Sequence, residues 1–266
     1  MGVIYSQNGV IVTPRNITQV VYTPPQSNTL LIDKNGYIGE MQYAAGKTYF
    51  ACMDTIADFS QRQLGQVTVI IPEFGETVIG ERTYKTTKIG SQTWLAENLD
   101  LKIEGYTPGT WNDNSISFGY WGNDEATYGI DGTYKCGLLY NGLAVDYLQA
   151  NKDTLFPGWH IPTKADLDLL INTAQEVAML KAQDKTITSS WPLNWNGTDS
   201  LRLNIIPCGT RYRGSYGFFG THCDVWSITD STGSNKWGLE FTSSGASEYN
   251  NFDYKNGYSA RLVKDV

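Results

Sequence analysis

The last third of the chain has no helical periodicity, and this feature constrains the fold more than any other. From residue 186 onward, aromatic side chains alternate with Gly, Ser and Asn, which favour tight turns between short strands. The whole chain follows the same tendency, because charged residues make up only 18% of it and aromatic residues 13%. The sequence therefore predicts a strand-rich protein rather than a helical bundle.

One helix interrupts this pattern. Thr163 has a side chain typical of an N-cap, Asp166 follows it, and apolar residues recur at helical spacing from Leu167 onward. This spacing predicts an amphipathic helix over roughly 163–181 that packs on a sheet. The fold class that we expect is therefore α+β and β-rich.

The start of the chain differs from the rest in its pattern of apolar residues. Apolar and β-branched runs predict short strands at 10–12, 20–22, 30–32 and 67–71. Asn35 and Gly36 predict a hairpin turn at 33–36, because both residues tolerate positive φ. So few apolar residues give a marginal core, and we expect residues 1–78 to be a β-rich segment for attachment and oligomerisation in a homotrimer. A second domain then covers residues 79–266.

The charge and hydropathy of the chain limit the kinds of partner that we expect. The net charge is −7 and the 20 Lys and Arg residues form no basic run, so we expect no nucleic-acid partner. No apolar run reaches the length of about 18 residues that a membrane span needs, so we expect none. The first residues lack the pattern of a signal peptide, which favours a protein made without export.

The four cysteines are too dispersed for a disulfide framework, and they form no C-x-x-C pair. They are Cys52, Cys136, Cys208 and Cys223. We expect reduced and mostly buried thiols, with a disulfide between Cys208 and Cys223 as the alternative.

Residues suited to catalysis are scarce. A catalytic histidine would have to be His160 or His222, and the chain has no G-x-S-x-G motif. We expect His160 to be a core residue that hydrogen-bonds a backbone carbonyl. His222 adjoins Cys223 and Asp224, but adjacent residues of an extended chain point to opposite faces, which disfavours a Cys–His pair. The sequence thus predicts neither an enzyme nor a cofactor.

We expect no bound metal, and one acidic loop provides the alternative. Asn123, Asp124, Glu125 and Asp131 bring oxygen ligands suited to calcium into a Gly-rich segment. The interpretation that we favour is a solvated acidic loop without a bound ion.

Six segments in a fixed order resemble a known family. They are YKTTKIGSQTWLAENL (84–99), GLLYNGLAV (137–145), PGWHIPT (157–163), GTR (209–211), WS (226–227) and GYSARL (257–262). Together they resemble the Fibrobacter succinogenes major paralogous domain over residues 79–266. The resemblance implies a C-type-lectin-like fold, shared with variable proteins that retroelements diversify, in which the aromatic C-terminal third faces the ligand.

The rings of that third divide into two groups. Trp226, Phe241 and Tyr258 belong to the family pattern, and we expect them to pack in the core. The other rings alternate with polar residues able to hydrogen-bond sugars or peptides, which favours a binding surface. The predicted ligand-binding residues are Tyr212, Arg213, Tyr216, Phe218, Phe219, His222, Asp224, Asp230, Asn235, Tyr249, Asn250, Asn251, Phe252, Asp253 and Tyr254.

These inferences lead to one functional hypothesis. We expect a non-enzymatic binding module: a phage virion fibre or decoration protein that displays a lectin-like domain for adhesion to a host-surface glycan or protein. Residues 1–78 would contact capsid or tail proteins. The first alternative is a bacterial cell-surface or secreted adhesin with the same domain. The second is an enzyme related to the formylglycine-generating members of the same fold group.

Overall fold

The computed structural model describes residues 73–174, 176–183 and 195–265, together with seven strands within residues 4–68. The chain divides into two compact units, Met1–Ile71 and Pro72–Val266. The second unit begins before residue 79 because the strand Glu73–Ile79 pairs along its whole length with the strand Arg82–Ile89. Each unit is described by itself.

The described residues of the first unit form antiparallel strands. They are β1 (Ile4–Tyr5), β2 (Ile11–Val12), β3 (Thr18–Tyr22), β4 (Thr29–Lys34), β5 (Gly39–Gln42), β6 (Thr48–Cys52) and β7 (Leu64–Thr68). They form one sheet in the order β2-β1-β6-β7 and another in the order β3-β4-β5. The predicted strands overlap β2, β3, β4 and β7, and the predicted turn overlaps the connection between β4 and β5.

The second unit contains two main sheets. The strands of the first are β8 (Glu73–Ile79), β9 (Arg82–Ile89), β10 (Gln92–Leu95) and β19 (Val263–Asp265). They are antiparallel, in the order β19-β10-β9-β8. The last strand of the chain therefore pairs with β10, near the start of this unit.

The second sheet carries most of the aromatic C-terminal third. Its strands, in spatial order, are β11 (Phe118–Gly119), β12 (Leu139–Tyr140), β18 (Tyr258–Ser259), β15 (His222–Asp230), β16 (Asn235–Thr242) and β17 (Ala246–Asp253). All neighbours are antiparallel except β15 and β18, which are parallel. A separate hairpin joins β13 (Thr210–Tyr212) to β14 (Ser215–Gly217).

The helices in the described residues are few and short. They are α1 (Glu125–Tyr128), α2 (Gly142–Ala150), α3 (Lys152–Leu155) and α4 (Lys164–Ala174), with 3-10 turns at Trp121–Asn123 and Val177–Met179. Described residues beyond 195 contain no helix, as the sequence predicted. The protein is therefore a strand-rich α+β protein.

Helix α4 begins where the sequence predicted. The N–H of Asp166 donates to Thr163 Oγ1 over 3.2 Å, and the N–H of Thr163 donates back to the Asp166 carboxylate over 2.8 Å, which makes a capping box. The predicted extension to residue 181 is wrong. Lys181 instead forms a parallel bridge with Ile205, and the N–H of Ala182 donates to the Ile205 carbonyl over 2.8 Å. The helix instead ends at Ala174, and residues 181–182 pair with a distant segment.

The core of the second unit lies where α2 and the second sheet meet. It includes the fully buried Leu148 of α2, Tyr140 of β12 and Trp226 of β15. Trp226 Nε1 donates to the carbonyl of Tyr140 over 2.7 Å, so its polar atom is satisfied inside the core. No helix in the described part of the chain is long and apolar enough to cross a bilayer.

Candidate functional site

The β13–β14 hairpin places two predicted ligand-binding rings at the surface. Tyr212 is 41% exposed, and its ring centre lies 5.1 Å from the guanidinium carbon of Arg213. Phe218 follows β14, is 50% exposed, and lies 4.6 Å from the ring of His222. Large apolar rings exposed in this way are available to a ligand.

Two other predicted rings brace the hairpin. Phe219 lies 5.2 Å from Trp121, 5.0 Å from Tyr128 and 4.8 Å from Tyr134, measured between ring centres. Tyr216 lies 5.7 Å from Trp121. Because Trp121, Tyr128 and Tyr134 belong to the segment 121–134, this partly buried cluster fixes the hairpin to the body of the unit.

Asp230 and Tyr254 belong to an ion network around a buried lysine. Lys236 is 1% exposed, and its Nζ lies 2.8 Å from carboxylate oxygens of both Asp146 and Asp230. Tyr254 donates its hydroxyl proton to Asp230 over 2.9 Å. Burial acts to lower the pKa of Lys236, but its hydrogen bonds to Asp146 and Asp230 raise that pKa overall. The network joins β16 to α2 through Asp146 and to β15 through Asp230.

The prediction that Phe252 binds a ligand is wrong. Its side chain is 4% exposed and its ring lies 4.3 Å from that of Tyr258 and 5.5 Å from that of Trp226. The pairing of β16 with β17 gains one residue on β17 between Lys236 and Gly238, and this bulge reverses the alternation of faces. The ring lies over Gly238, where an added Cβ would approach it to 2.2 Å.

The remaining predicted residues of β16 and β17 vary in exposure. Asn251 is exposed, whereas Asn235 and Asp253, which pair across β16 and β17, are half-buried. Asp253 accepts the N–H of Lys255 over 2.9 Å. The predicted side chains of Tyr249 and Asn250 lie outside the described residues.

Asp224 is a buried acid rather than an exposed contact. Its side chain belongs to a residue only 6% exposed, and its Oδ1 has no hydrogen-bond partner among the described residues. It lies in β15 directly opposite Glu240 of β16. Burial, and then the charge of Glu240, holds the pKa of Asp224 well above its usual range. The free protein therefore favours the neutral carboxyl at this position.

The cysteines agree with the favoured prediction. Cys136, Cys208 and Cys223 are buried and free, so the alternative Cys208–Cys223 disulfide is wrong; the side chain of Cys52 lies outside the described residues. Burial raises the pKa of the Cys208 and Cys223 thiols well above the usual range. Both thiols therefore stay protonated, which disfavours a thiolate nucleophile.

The two histidines have different surroundings. His160 Nε2 lies 3.2 Å from the Asp166 carboxylate, so its partner is the N-terminal carboxylate of α4 rather than the expected backbone carbonyl. His222 Nδ1 lies 2.9 Å from Thr221 Oγ1. Neither contact pairs a histidine with a nucleophilic thiol.

The residues of the predicted acidic loop each have a separate protein partner. Asn123 accepts the hydroxyl proton of Tyr216, and Asp124 accepts the N–H of Thr127 at the start of α1. Glu125 pairs with a lysine over 2.9 Å and Asp131 with an arginine over 2.7 Å. No group of three or more His, Cys, Asp or Glu side chains suited to a metal ion occurs in the described residues.

A comparison with protein families accounts for most of the second unit. A family model, the Fibrobacter succinogenes major domain, matches residues 87–264. The chain belongs to this family. No curated protein and no solved structure matches it.

The first and last segments of the Fibrobacter succinogenes major domain meet at a buried arginine. Arg261 donates from Nε to Asn98 Oδ1 over 2.9 Å, from Nη1 to the carbonyl of Leu95 over 3.0 Å, and from Nη2 to the carbonyl of Asn204 over 3.0 Å. Burial lowers the pKa of Arg261. The rings expected to pack, Trp226, Phe241 and Tyr258, are each at most 4% exposed, which confirms that prediction. These segments of the domain therefore form its scaffold.

Two polar residues of this region were not predicted. Glu240 lies opposite Asp224, and Thr210 is 1% exposed with an Oγ1 that has no hydrogen-bond partner in the described part of the chain. The period-two alternation of strands would have grouped Asp224 with Glu240 only if the register of the β15–β16 hairpin had been known.

Proposed function

We propose that this protein is a non-enzymatic binding module that adheres to a host surface through the β13–β14 hairpin. The exposure of Tyr212 and Phe218, on and next to a hairpin braced by partly buried rings, is the observation that supports this most. Rigid aromatic side chains contribute large contact areas at low cost in conformational entropy, and they stack on sugar rings as well as on peptides. The target in this proposal is a host-surface glycan or protein.

The domain of the second unit has a C-type-lectin-like fold in this proposal. The resemblance of the six ordered segments supports it, as does the arrangement of a strand-rich unit in which the last strand returns to pair with β10 near its start. In such a fold, variable loops are presented on a fixed scaffold, which suits the contrast between the buried Arg261 and the exposed Tyr212.

The first unit attaches the protein to a virion in this proposal. Met1–Ile71 is a separate compact unit of short antiparallel strands. Small strand-rich units of this kind often need a partner surface to become stable, which supports attachment to capsid or tail proteins and assembly as a homotrimer. The protein would then be a fibre or decoration protein of a phage.

Two measurements test this function. A glycan array and a cell-binding screen with the full chain are expected to identify a surface ligand, and immunogold electron microscopy is expected to label phage particles. Labelling of bacterial envelopes without labelling of particles would favour a bacterial adhesin. Failure to bind any glycan or cell surface would contradict the adhesion role itself.

A further inference from the structure

The strand register brings two carboxylates together beside the exposed hairpin. Asp224 of β15 and Glu240 of β16 are directly opposite each other in an antiparallel pair. Side chains at opposite positions share one face of a sheet, with Cβ atoms about 4.5–5.5 Å apart. Two acids in this arrangement repel each other unless a proton or a cation lies between them.

The same register adds hydroxyl groups to that face. Val225 pairs with Ser259 and Arg211 with Gly257, so the residues next to these pairs point to the opposite face. Asp224 and Thr210 therefore share a face with Tyr258. The pKa of Tyr258 is raised by burial and then by the charge of Asp224, which agrees with this proximity.

Two polar atoms on this face lack partners although both are buried. Asp224 Oδ1 and Thr210 Oγ1 have no hydrogen bond among the described residues, and their residues are 6% and 1% exposed. A buried polar group without a hydrogen bond destabilises the fold, and more strongly if it is charged. In the described residues, no Lys, Arg or His forms an ion pair with Asp224 or Glu240. The face therefore presents acceptors without the donor that would satisfy them.

We propose that the face formed by Thr210, Asp224 and Glu240 binds a protonated primary amine of the ligand. An ammonium group has three N–H donors and a positive charge, and it meets two carboxylates and a hydroxyl oxygen here. A neutral hydroxyl would supply one donor and would leave the repulsion between the acids in place. The ammonium takes the position of the proton of the neutral Asp224 carboxyl, because an opposite charge within about 4–6 Å stabilises an ionised carboxyl.

The neighbouring rings agree with an amine carried on a larger ligand. Tyr212 lies two residues after Thr210 in β13, so the two side chains point to the same face of the strand. Its exposed ring can contact the body of a sugar or a side chain whose ammonium reaches Asp224. This inference rests on the proposed adhesion function and names the chemical group that the adhesion surface recognises.

Saturation-transfer difference NMR with the full chain tests the inference. The probes are D-glucosamine, N-acetyl-D-glucosamine, in which the amine is blocked, and Nα-acetyl-lysine amide, which carries the amine on a peptide-like body. We expect glucosamine or the lysine probe to bind at least about tenfold more tightly than N-acetylglucosamine, as loss of a charge-assisted hydrogen bond implies. The amine that binds more tightly identifies the source as sugar or protein.

Variants then locate the site. Asp224→Asn and Glu240→Gln each remove one charge with little change in shape, and each is expected to weaken amine binding at least about tenfold. Asp153→Asn removes an exposed carboxylate from α3 and is expected to leave binding unchanged. Melting curves of all three variants check that they are folded, and Glu240→Gln retains the test if Asp224→Asn does not fold.

Several results would overturn the amine site. These are equal binding of glucosamine and N-acetylglucosamine, absence of binding by both amines, unchanged amine binding in both acid variants, or displacement of the amines by millimolar calcium chloride. The adhesion function fails separately, because it is contradicted only if the full chain binds no glycan or cell surface at all.

Discussion

Arg261 Nε donates a hydrogen bond to Asn98 Oδ1 over 2.9 Å, and this contact joins the last family segment to the first. The guanidinium is 1% exposed and is satisfied by backbone carbonyls and an amide instead of a carboxylate. A single side chain thus holds together segments from the two ends of the second unit.

Replacement of this arginine should destabilise the protein strongly. Arg261→Met keeps most of the side-chain length but leaves the buried carbonyls of Leu95 and Leu203 without a donor. We expect the free energy of unfolding to fall by about 3 kcal/mol or more. Urea unfolding measures this, with the exposed Arg202→Met as the matched control, which should change stability by less than about 0.5 kcal/mol. Similar losses in both variants would contradict the scaffold role of Arg261.

Replacement of two phenylalanines of the aromatic third should destabilise the protein to different degrees. Phe252→Ala removes a core ring and is expected to cost about 3–5 kcal/mol in the free energy of unfolding. Phe218→Ala removes a half-exposed ring and should cost less than about 1 kcal/mol, since few core contacts are lost. Thermal and urea unfolding of both variants measure the difference. Equal destabilisation would mean that Phe218 is also part of the core.

The buried acid should make stability depend on pH. Because the folded-state pKa of Asp224 is raised above 3.8, the folded protein keeps this proton to higher pH than the unfolded chain does. The protonated Asp224 side chain therefore stabilises the folded state fully at pH below 3.8. This stabilisation is lost as the pH rises through the raised pKa. We expect Asp224→Asn to gain stability relative to the unmodified protein as pH increases, measured by melting temperature from pH 4 to pH 9. A difference that stays constant over this range would contradict the shift.

The first unit should control assembly. Removal of residues 1–71 leaves β8 paired with β9 and is expected to give a folded monomer, whereas the full chain is expected to be a trimer. Light scattering coupled to size exclusion measures both masses. An unchanged oligomer after truncation would show that assembly depends on the second unit instead.

Local signals in the sequence predicted the parts of the fold that depend on neighbouring residues. Thr163 and Asp166 fixed the start of α4, because a capping box needs only residues within one turn. The helix ends at Ala174, and residues 181–182 pair instead with Ile205, a contact that no local pattern contains. Helix α2 was also missed, although Asn141 caps it by accepting the N–H of Ala144 over 2.9 Å.

The candidate site was only partly predictable for the same reason. Tyr212 and Phe218 were correctly placed at the surface from the polar residues around them. Phe252 was misplaced because a single extra residue in β17 reverses the alternation of faces, and the sequence does not mark that bulge. The pairing of Asp224 with Glu240 likewise depends on a hairpin register.

The most direct test of the adhesion surface is the binding of a Tyr212→Ala, Phe218→Ala double variant to the cells or glycans that the screen identifies. Tyr106→Ala, which removes a ring that is 42% exposed outside the hairpin, is the control. We predict that the double variant loses at least about tenfold in affinity while its melting temperature stays within a few degrees of that of the unmodified protein. Unchanged adhesion by the double variant, or equal loss in the control, would contradict the hairpin as the binding surface.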